Sequence, residues 1–246
     1  MDVVNCFRIF FIPHSELDNY RMWDIYKNTL HVVQEIVGYK SDRYIQFTYF
    51  LNFILFYFFT NNENEKIMKG EQQAIFGGGC FWCVEAVLQR LNGIVKVEPG
   101  YCGGLSKNPS YREVCSGESG HAEVVKVTFE PERISYHDLL IIFMTTHDPT
   151  TLNRQGNDKG TQYRSVIYYL DEGQKDVIQS VFDELKDVYP DPIVTEVSSE
   201  MPFYPAEDYH HNYFNDNPVV PYCRIVIQPK VDKLRQHYSV YLKSDI

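Results

Sequence analysis

From about Ala74 onward, apolar and polar positions fall into a regular order whose period changes along the chain. The stretch "QQAIFGGG" is a short apolar run ended by glycines, the pattern of a buried strand. In "CFWCVEAVLQRLNG", Val84, Val87, Leu88 and Leu91 recur at helical spacing, and Gly93 is placed to end the helix. "AEVVKVTFE" alternates as a strand does. Ser135 in "RISYHDLLIIFMTTHD" then offers a helix N-cap, with Asp138 at the capping-box position. "YRSVIYYL" predicts another strand. "EGQKDVIQSVFDELKDVY" predicts a helix with Val177, Val181, Leu185 and Val188 on one stripe before Pro190, and "IVTEVSS" a final strand. Strands and helices alternating in this way predict a single α+β domain, for which a ferredoxin-like split βαβ core is expected. "GGLSKNPS" and "NRQGNDKGTQ" interrupt the pattern as long loops, which in a compact domain usually carry function.

Residues 1–67 follow no such order. They are rich in Phe, Tyr, Ile and Asn, and "RYIQFTYFLNFILFYFFTNNENEK" has neither turn chemistry nor a clean helical period. Its apolar run from Phe47 to Phe59 is short against the roughly 20 residues of a membrane-spanning helix and carries Asn52 near its middle. It lies far from Met1 and lacks a small-residue cleavage site, so it does not read as an ordinary signal peptide. Translated upstream sequence is the preferred reading, because these are residues that AT-rich codons specify and Met68 stands just ahead of the first strand. A membrane anchor and a helical appendage are the alternatives. The expected division is a non-catalytic extension over 1–67 and a catalytic domain over 68–246.

The 246 residues carry 23 Lys and Arg against 33 Asp and Glu, a net charge of -10 that disfavours nucleic acid as a partner. Cys6, Cys80, Cys83, Cys102, Cys115 and Cys223 are too sparse and irregular for a secreted disulfide scaffold, so a reducing compartment, the cytoplasm, is expected. Cys80 and Cys83 have the spacing of half a zinc site, but no second close pair supplies the other half. His210 and His211, as sequence neighbours, point about 100° apart on a helix and do not converge on one ion. No metal or cofactor is expected.

The candidate chemistry centres on "GGGCFWCVEAV". Glycines without Cβ let the backbone turn tightly and let another molecule approach, a geometry that suits a site more than a packed core. Cys80 falls at the expected first helical turn, where unpaired N–H groups and the positive dipole end favour a thiolate and hence a nucleophile. A buried structural cysteine is the alternative that residue type alone supports.

Four segments, "GGGCFWCVEAVLQRLNGIVKVEPGYCGG", "NPSYREVCSGESGHAEVVKVTFEP", "DPTTLNRQGNDKGTQYRSVIYY" and "FYPAEDYHHNYF", resemble the peptide methionine sulfoxide reductase A family, in the family's order. The likeness runs from about Ile75 to about Cys223. The resemblance implies Cys80 as nucleophile, Phe81 and Trp82 as a pocket for the substrate methyl group, and Glu123 as proton donor. A general acid must be protonated near neutral pH, which requires a desolvated Glu123. Tyr111 and Tyr163 match residues that hydrogen-bond the sulfoxide oxygen, and Asp158 matches a polar residue of the same pocket; His121 orders the loop carrying Glu123. Cys83 and Cys102 stand where other residues are common, and Cys115 has no implied catalytic role.

The implied activity is reduction of methionine-S-sulfoxide, free or in proteins, through a sulfenic acid on Cys80 and then a disulfide opened by thioredoxin, in a monomer. Cys223, after the Pro- and Asn-rich "NDNPVVP", is the expected resolving thiol on a flexible arm, and Cys83 the alternative. Two rival functions are a general thiol-disulfide oxidoreductase, since C-x-x-C at a helix start is its motif too, and a redox sensor without turnover. The first leaves Glu123, Tyr111 and Tyr163 without a purpose.

Overall fold

The structure, a computed structural model, describes residues 70–244, so the readings made for 1–67 lie outside the described residues. Strand β1 (Gln72–Gly78) leads into helix α1 (Phe81–Leu88), which returns the chain to strand β2 (Ile94–Cys102). Short helix α2 (Tyr111–Cys115), strand β3 (Ala122–Phe129) and helix α3 (Tyr136–Thr146) follow. A two-stranded ribbon, β4 (Arg154–Gln155) and β5 (Asp158–Lys159), precedes β6 (Ser165–Tyr169), α4 (Glu172–Leu185), β7 (Glu196–Ser199) and β8 (Tyr204–Pro205). The chain ends in α5 (Tyr213–Asp216), a wide helical turn over Cys223–Ile227 and α6 (Gln228–His237).

The main sheet has the order β7-β6-β1-β3-β2-β8. β3 lies between β1 and β2 and is antiparallel to both, while β1 is also antiparallel to β6. That is the split βαβ arrangement with all four central strands antiparallel; only β7 joins in parallel, beside β6. Strand alternation sorts the core into two layers. Ala74, Phe76, Val125, Val127, Phe129 and Ile167 face the helices, whereas Ile75, Val124, Val166 and Tyr168 face the other side, covered by Leu170, Met201 and Phe203.

The helix start at Ser135 is capped as expected, and a second helix start is capped in the same way by Asp171. The Ser135 hydroxyl accepts from the Asp138 amide at 3.0 Å, and Asp171 accepts from Gln174 N at 2.8 Å. Other elements differ from expectation. Helix α1 ends at Leu88; Leu91 lies beyond it and bridges Leu242, and Gly93 (φ +83°) turns the chain into β2. In α4 the buried stripe is Ile178, Val181 and Leu185, while Val188 lies past the helix and is exposed. Strand β2 was not expected, because Pro99 and Gly100 interrupt it. Pro99 is tolerated because its polar edge faces β8, where its carbonyl accepts from Ala206 N at 3.0 Å, so the missing N–H falls outside the β2–β3 ladder.

The glycine run proves to be a packing device. A Cβ on Gly77 would stand 2.8 Å from Val166 Cγ1 and 2.9 Å from the Glu123 carbonyl oxygen, and Gly78 is closed in by Phe143 and His147. Gly79 adopts φ +90° with Gln155 against it, so protein rather than an incoming molecule approaches this backbone. Gly77→Ala is therefore expected to destabilise the protein by about 1–3 kcal/mol through overpacking between β1, β3 and β6. The urea midpoint measures it, and an unchanged midpoint would show that the sheet relaxes freely there.

Candidate active site

Glu123 belongs to the helix-facing set of β3, in the alternation that places Val125, Val127 and Phe129 in the core, and it pairs across the ladder with Tyr101. This position carries its carboxyl under the start of α1. Glu123 is 1% exposed, and its Oε2 accepts from Phe81 N at 3.0 Å. Burial pushes the carboxyl up to about 8, against the Phe81 N–H, which favours the charged form. The group is thus protonated at neutral pH.

Cys80 is the residue at the N-cap of α1, one position outside the helix, and its side chain makes no capping hydrogen bond. The expected lowering of its thiol by the helix start does not occur. Burial, then a hydrogen bond to Cys83 and the charges of Cys83 and Glu123, push Cys80 well above its ordinary range. Cys83 moves the other way, down to about 7, chiefly because the Cys80 S–H donates to it. The Tyr222 hydroxyl stands 4.0 Å from Cys83 Sγ and donates to Asp158 Oδ2 at 2.7 Å, tying the ribbon loop to the thiols.

Aromatic rings enclose the other side. Trp82 stacks flat on Tyr213 at 3.7 Å and donates from Nε1 to His210 Nδ1 at 3.1 Å. His210 is fully buried against Phe81 and Tyr111, with ring centroids at 5.0 and 4.4 Å. Since Nδ1 accepts, Nε2 carries the proton of the neutral ring; it finds no hydrogen-bond partner and lies 3.8 Å from Glu207 Oε2. Glu207 itself is held by Tyr111 N at 2.9 Å and the Tyr101 hydroxyl at 2.8 Å. Tyr163 faces Glu123, Cys80 and Asp158, and burial followed by the Glu123 charge keeps its phenol protonated far above neutral pH.

The structure therefore gathers Cys80, Cys83, Phe81, Trp82, Tyr111, Glu123, Asp158 and Tyr163 around one helix start. Cys223 differs from the arm expected for it. It is fully buried, it lies near the start of the continuous helical stretch from Pro221 through His237, and burial and Cys83 both push its thiol up. Residues the pattern did not single out also shape the site: Tyr213, Tyr222, Glu207 and Glu85. Glu85 Oε1 accepts from Asn212 N at 2.8 Å, holding that left-handed residue (φ +54°) so that Tyr213 lies on Trp82. Burial pushes Glu85 up to about 7. His121 accepts from Gly104 N and reaches the Ser106 carbonyl, so it orders the 103–106 loop. Among the described residues, no group of three His, Cys, Asp or Glu side chains is arranged to hold a metal ion.

Two buried thiols three residues apart at one helix start, beside a carboxylic acid kept neutral, mark the class as a thiol-dependent oxidoreductase. The family model described as peptide methionine sulfoxide reductase matches residues 72–241. The peptide methionine sulfoxide reductase MsrA of Deinococcus radiodurans is 53% identical over 186 residues, 75% of this chain and 90% of that protein. Its counterpart from Acinetobacter baumannii is 53% identical over 173 residues, 70% of this chain and 99% of its own. Among solved structures, reduced Mxr1 from Saccharomyces cerevisiae superposes with a TM-score of 0.58 at 33% identity, covering 62% of this chain and 89% of its own. The methionine sulfoxide reductase A of Corynebacterium diphtheriae gives 0.56 at 33% identity, over 61% and 77%. The chain belongs to the peptide methionine sulfoxide reductase family, and its reaction is the reduction of methionine sulfoxide to methionine.

Because the folded protein keeps Glu123 protonated where an unfolded chain would have ionised it, stability is lost as pH rises from the ordinary carboxylate range to about 8. Glu123→Gln keeps the shape without that loss. Its melting temperature is expected to gain on the wild type between about pH 5 and pH 8 and to hold the gain above. Parallel pH profiles for the two proteins would show that the carboxyl is not held neutral.

Proposed function

We propose that the protein reduces the S epimer of methionine sulfoxide, free and within oxidised proteins, with Cys80 as nucleophile and Glu123 as acid. The observation that carries this reading is the neutral Glu123 carboxyl fixed against the amide next to Cys80. In the first step the Cys80 sulfur takes the sulfoxide oxygen as its S–O bond to the substrate breaks. Glu123 supplies the proton that the oxygen needs, and the proton that the Cys80 thiol gives up on attack returns to the Glu123 carboxylate, leaving methionine and a Cys80 sulfenic acid. Tyr111 and Tyr163 donate to the oxygen as neutral phenols, Asp158 orients the polar wall through Tyr222, and Phe81 and Trp82 receive the methyl group.

Cys83 then attacks the sulfenic sulfur, expelling water and leaving a Cys80–Cys83 disulfide for thioredoxin to open. The position of Cys83 three residues on at the same helix start, with its amide donating to the Cys80 carbonyl at 3.0 Å, and the full burial of Cys223 support Cys83 over Cys223 in this step. Catalysis belongs to 68–246, with 1–67 dispensable, and the protein acts as a cytoplasmic monomer. Among the described residues, no helix is long and apolar enough to cross a membrane.

A single-turnover assay with each epimer, dithiothreitol-free, tests these roles together. Cys80→Ser is expected to release no methionine, and Glu123→Gln to release it about 10²- to 10⁴-fold more slowly at neutral pH. With thioredoxin as reductant, Cys83→Ser stops turning over while Cys223→Ser continues. The reverse pattern would return the resolving role to Cys223, and a Glu123→Gln loss below about threefold would remove the carboxyl from the acid role.

A chain beginning at Met68 is expected to match the full-length protein in turnover and melting temperature, since every residue placed in the site lies at Cys80 or beyond. Loss of activity in a soluble truncated chain, or recovery of the natural full-length protein in the membrane fraction, would assign 1–67 a structural or anchoring role.

A further inference from the structure

Helix α2 is five residues long, too short to hold its own place, and it carries Tyr111 as its first residue. Val114 is its one buried residue. Glu207 fixes the first end, where its Oε1 accepts from Tyr111 N at 2.9 Å. The other end must be held separately, or the helix can pivot about Tyr111 and swing the phenol with it. The last carbonyls of a helix lack partners within the regular ladder. Those of Arg112, Glu113 and Val114 are taken up locally by Ser116 N, Ser116 Oγ and Gly117 N, at 3.1, 2.7 and 3.0 Å. Those of Cys115 and Gly117 are taken up by residues 47 and 44 positions further along the chain: Gln162 Nε2 donates to Cys115 O and Thr161 Oγ1 to Gly117 O, each at 3.3 Å. Both donors lie in the single helical turn Thr161–Tyr163. One turn thus holds the free end of α2 and itself ends in Tyr163, the other phenol. Its far side is anchored by Arg164, which bonds Thr161 O and Glu196 Oε2, each at 2.9 Å.

Gln162 is built into this junction. It is 5% exposed, and a Cβ on Gly160 (φ +142°) would collide with its amide, so the glycine of "GTQY" leaves the room that the amide occupies. Because Cys115 O only accepts, the amide nitrogen faces it, and Oε1 lies buried with no hydrogen-bond partner. An unpaired buried oxygen costs stability, and an apolar side chain of the same length would shed it. Stability alone does not account for glutamine at this position. A fixed distance between the two loops does.

We propose that Gln162 is a positioning residue for sulfoxide reduction, a strut that fixes α2 against the turn of Tyr163 so that the Tyr111 and Tyr163 hydroxyls converge on the sulfoxide oxygen. The inference rests on the two phenols as the oxygen donors. Two donors stabilise developing charge on one oxygen only where both stand within about 3 Å of it, and a displacement of about 1 Å forfeits much of the benefit. With its amide turned to the Cys115 carbonyl, Gln162 acts through Tyr111 and not on the substrate.

The test measures single-turnover methionine release by the full-length protein, over a range of sulfoxide concentrations, for Gln162→Met in three backgrounds: wild type, Tyr163→Phe and Tyr111→Phe. In the first two, the rate at saturation is expected to fall about tenfold while the half-saturating concentration changes less than about threefold, because the phenols act most strongly in the transition state. In Tyr111→Phe the substitution is expected to add nothing. Thr161→Val removes the other bond of the junction at an exposed position, and a smaller loss with the same dependence on background is expected. It decides the matter should Gln162→Met not fold. An unchanged rate in the wild-type background, or a loss that adds in full to that of Tyr111→Phe, overturns the assignment of Gln162 alone. A Tyr111→Phe/Tyr163→Phe protein as fast as the wild type overturns the oxygen-donor reading and the inference with it.

Discussion

The site depends on the contact between the Glu123 carboxyl and the Phe81 amide. Helix α1 is short, and its first free N–H is its strongest polar group on the interior side. By accepting it, Glu123 ties β3 to the helix start and takes the place that an ionised Cys80 would otherwise compete for. Burial keeps the carboxyl neutral, so one oxygen can accept from the backbone while the O–H remains to be given away. The same burial denies the Cys80 thiol an easy ionisation. A desolvated carboxyl and a desolvated thiol are costly to ionise side by side, and burial pushes both groups up.

A second layer holds the rings. Trp82 is fixed from two directions, by Tyr213 stacked on its face and by His210 at its nitrogen, and both belong to the segment 206–216, which holds only two short helical turns. What pins that segment is polar. Glu85 binds the backbone at Asn212, and Glu207 binds the backbone of Tyr111 and the hydroxyl of Tyr101. Two carboxylates outside the chemistry thereby set where the aromatic walls stand.

Much of this was legible in the chain, and the failures have physical reasons. Alternation over 122–129 and the cap at Ser135 depend on local periodicity and local hydrogen bonds, which a single sequence displays. Strand β2 escaped because Pro99 breaks the local rule, and its tolerance depends on which neighbour lies on each side. The glycines before Cys80 read as an opening for another molecule, whereas Val166, Phe143 and Gln155 arrive there from distant parts of the chain. The state of the thiols was misjudged for the same reason: a helix start is local, but the carboxyl that occupies it is 42 residues away. The Pro- and Asn-rich "NDNPVVP" read as a flexible arm for Cys223, although Cys223 is fully buried and Ile227, Val231 and Leu234 bury the helix that follows.

Strands β7 and β8 are neighbours in sequence yet form opposite edges of the six-stranded sheet. From Ser199 to Tyr204 the chain can reach at most about 19 Å, while the five strand spacings of a flat sheet would need about 24 Å. The sheet must therefore be rolled, with Met201 and Phe203 drawn across its back like the cord of a bow. An edge strand peeling away on one side would pull directly on the other, so neither margin can fray alone or offer itself as a template to another chain.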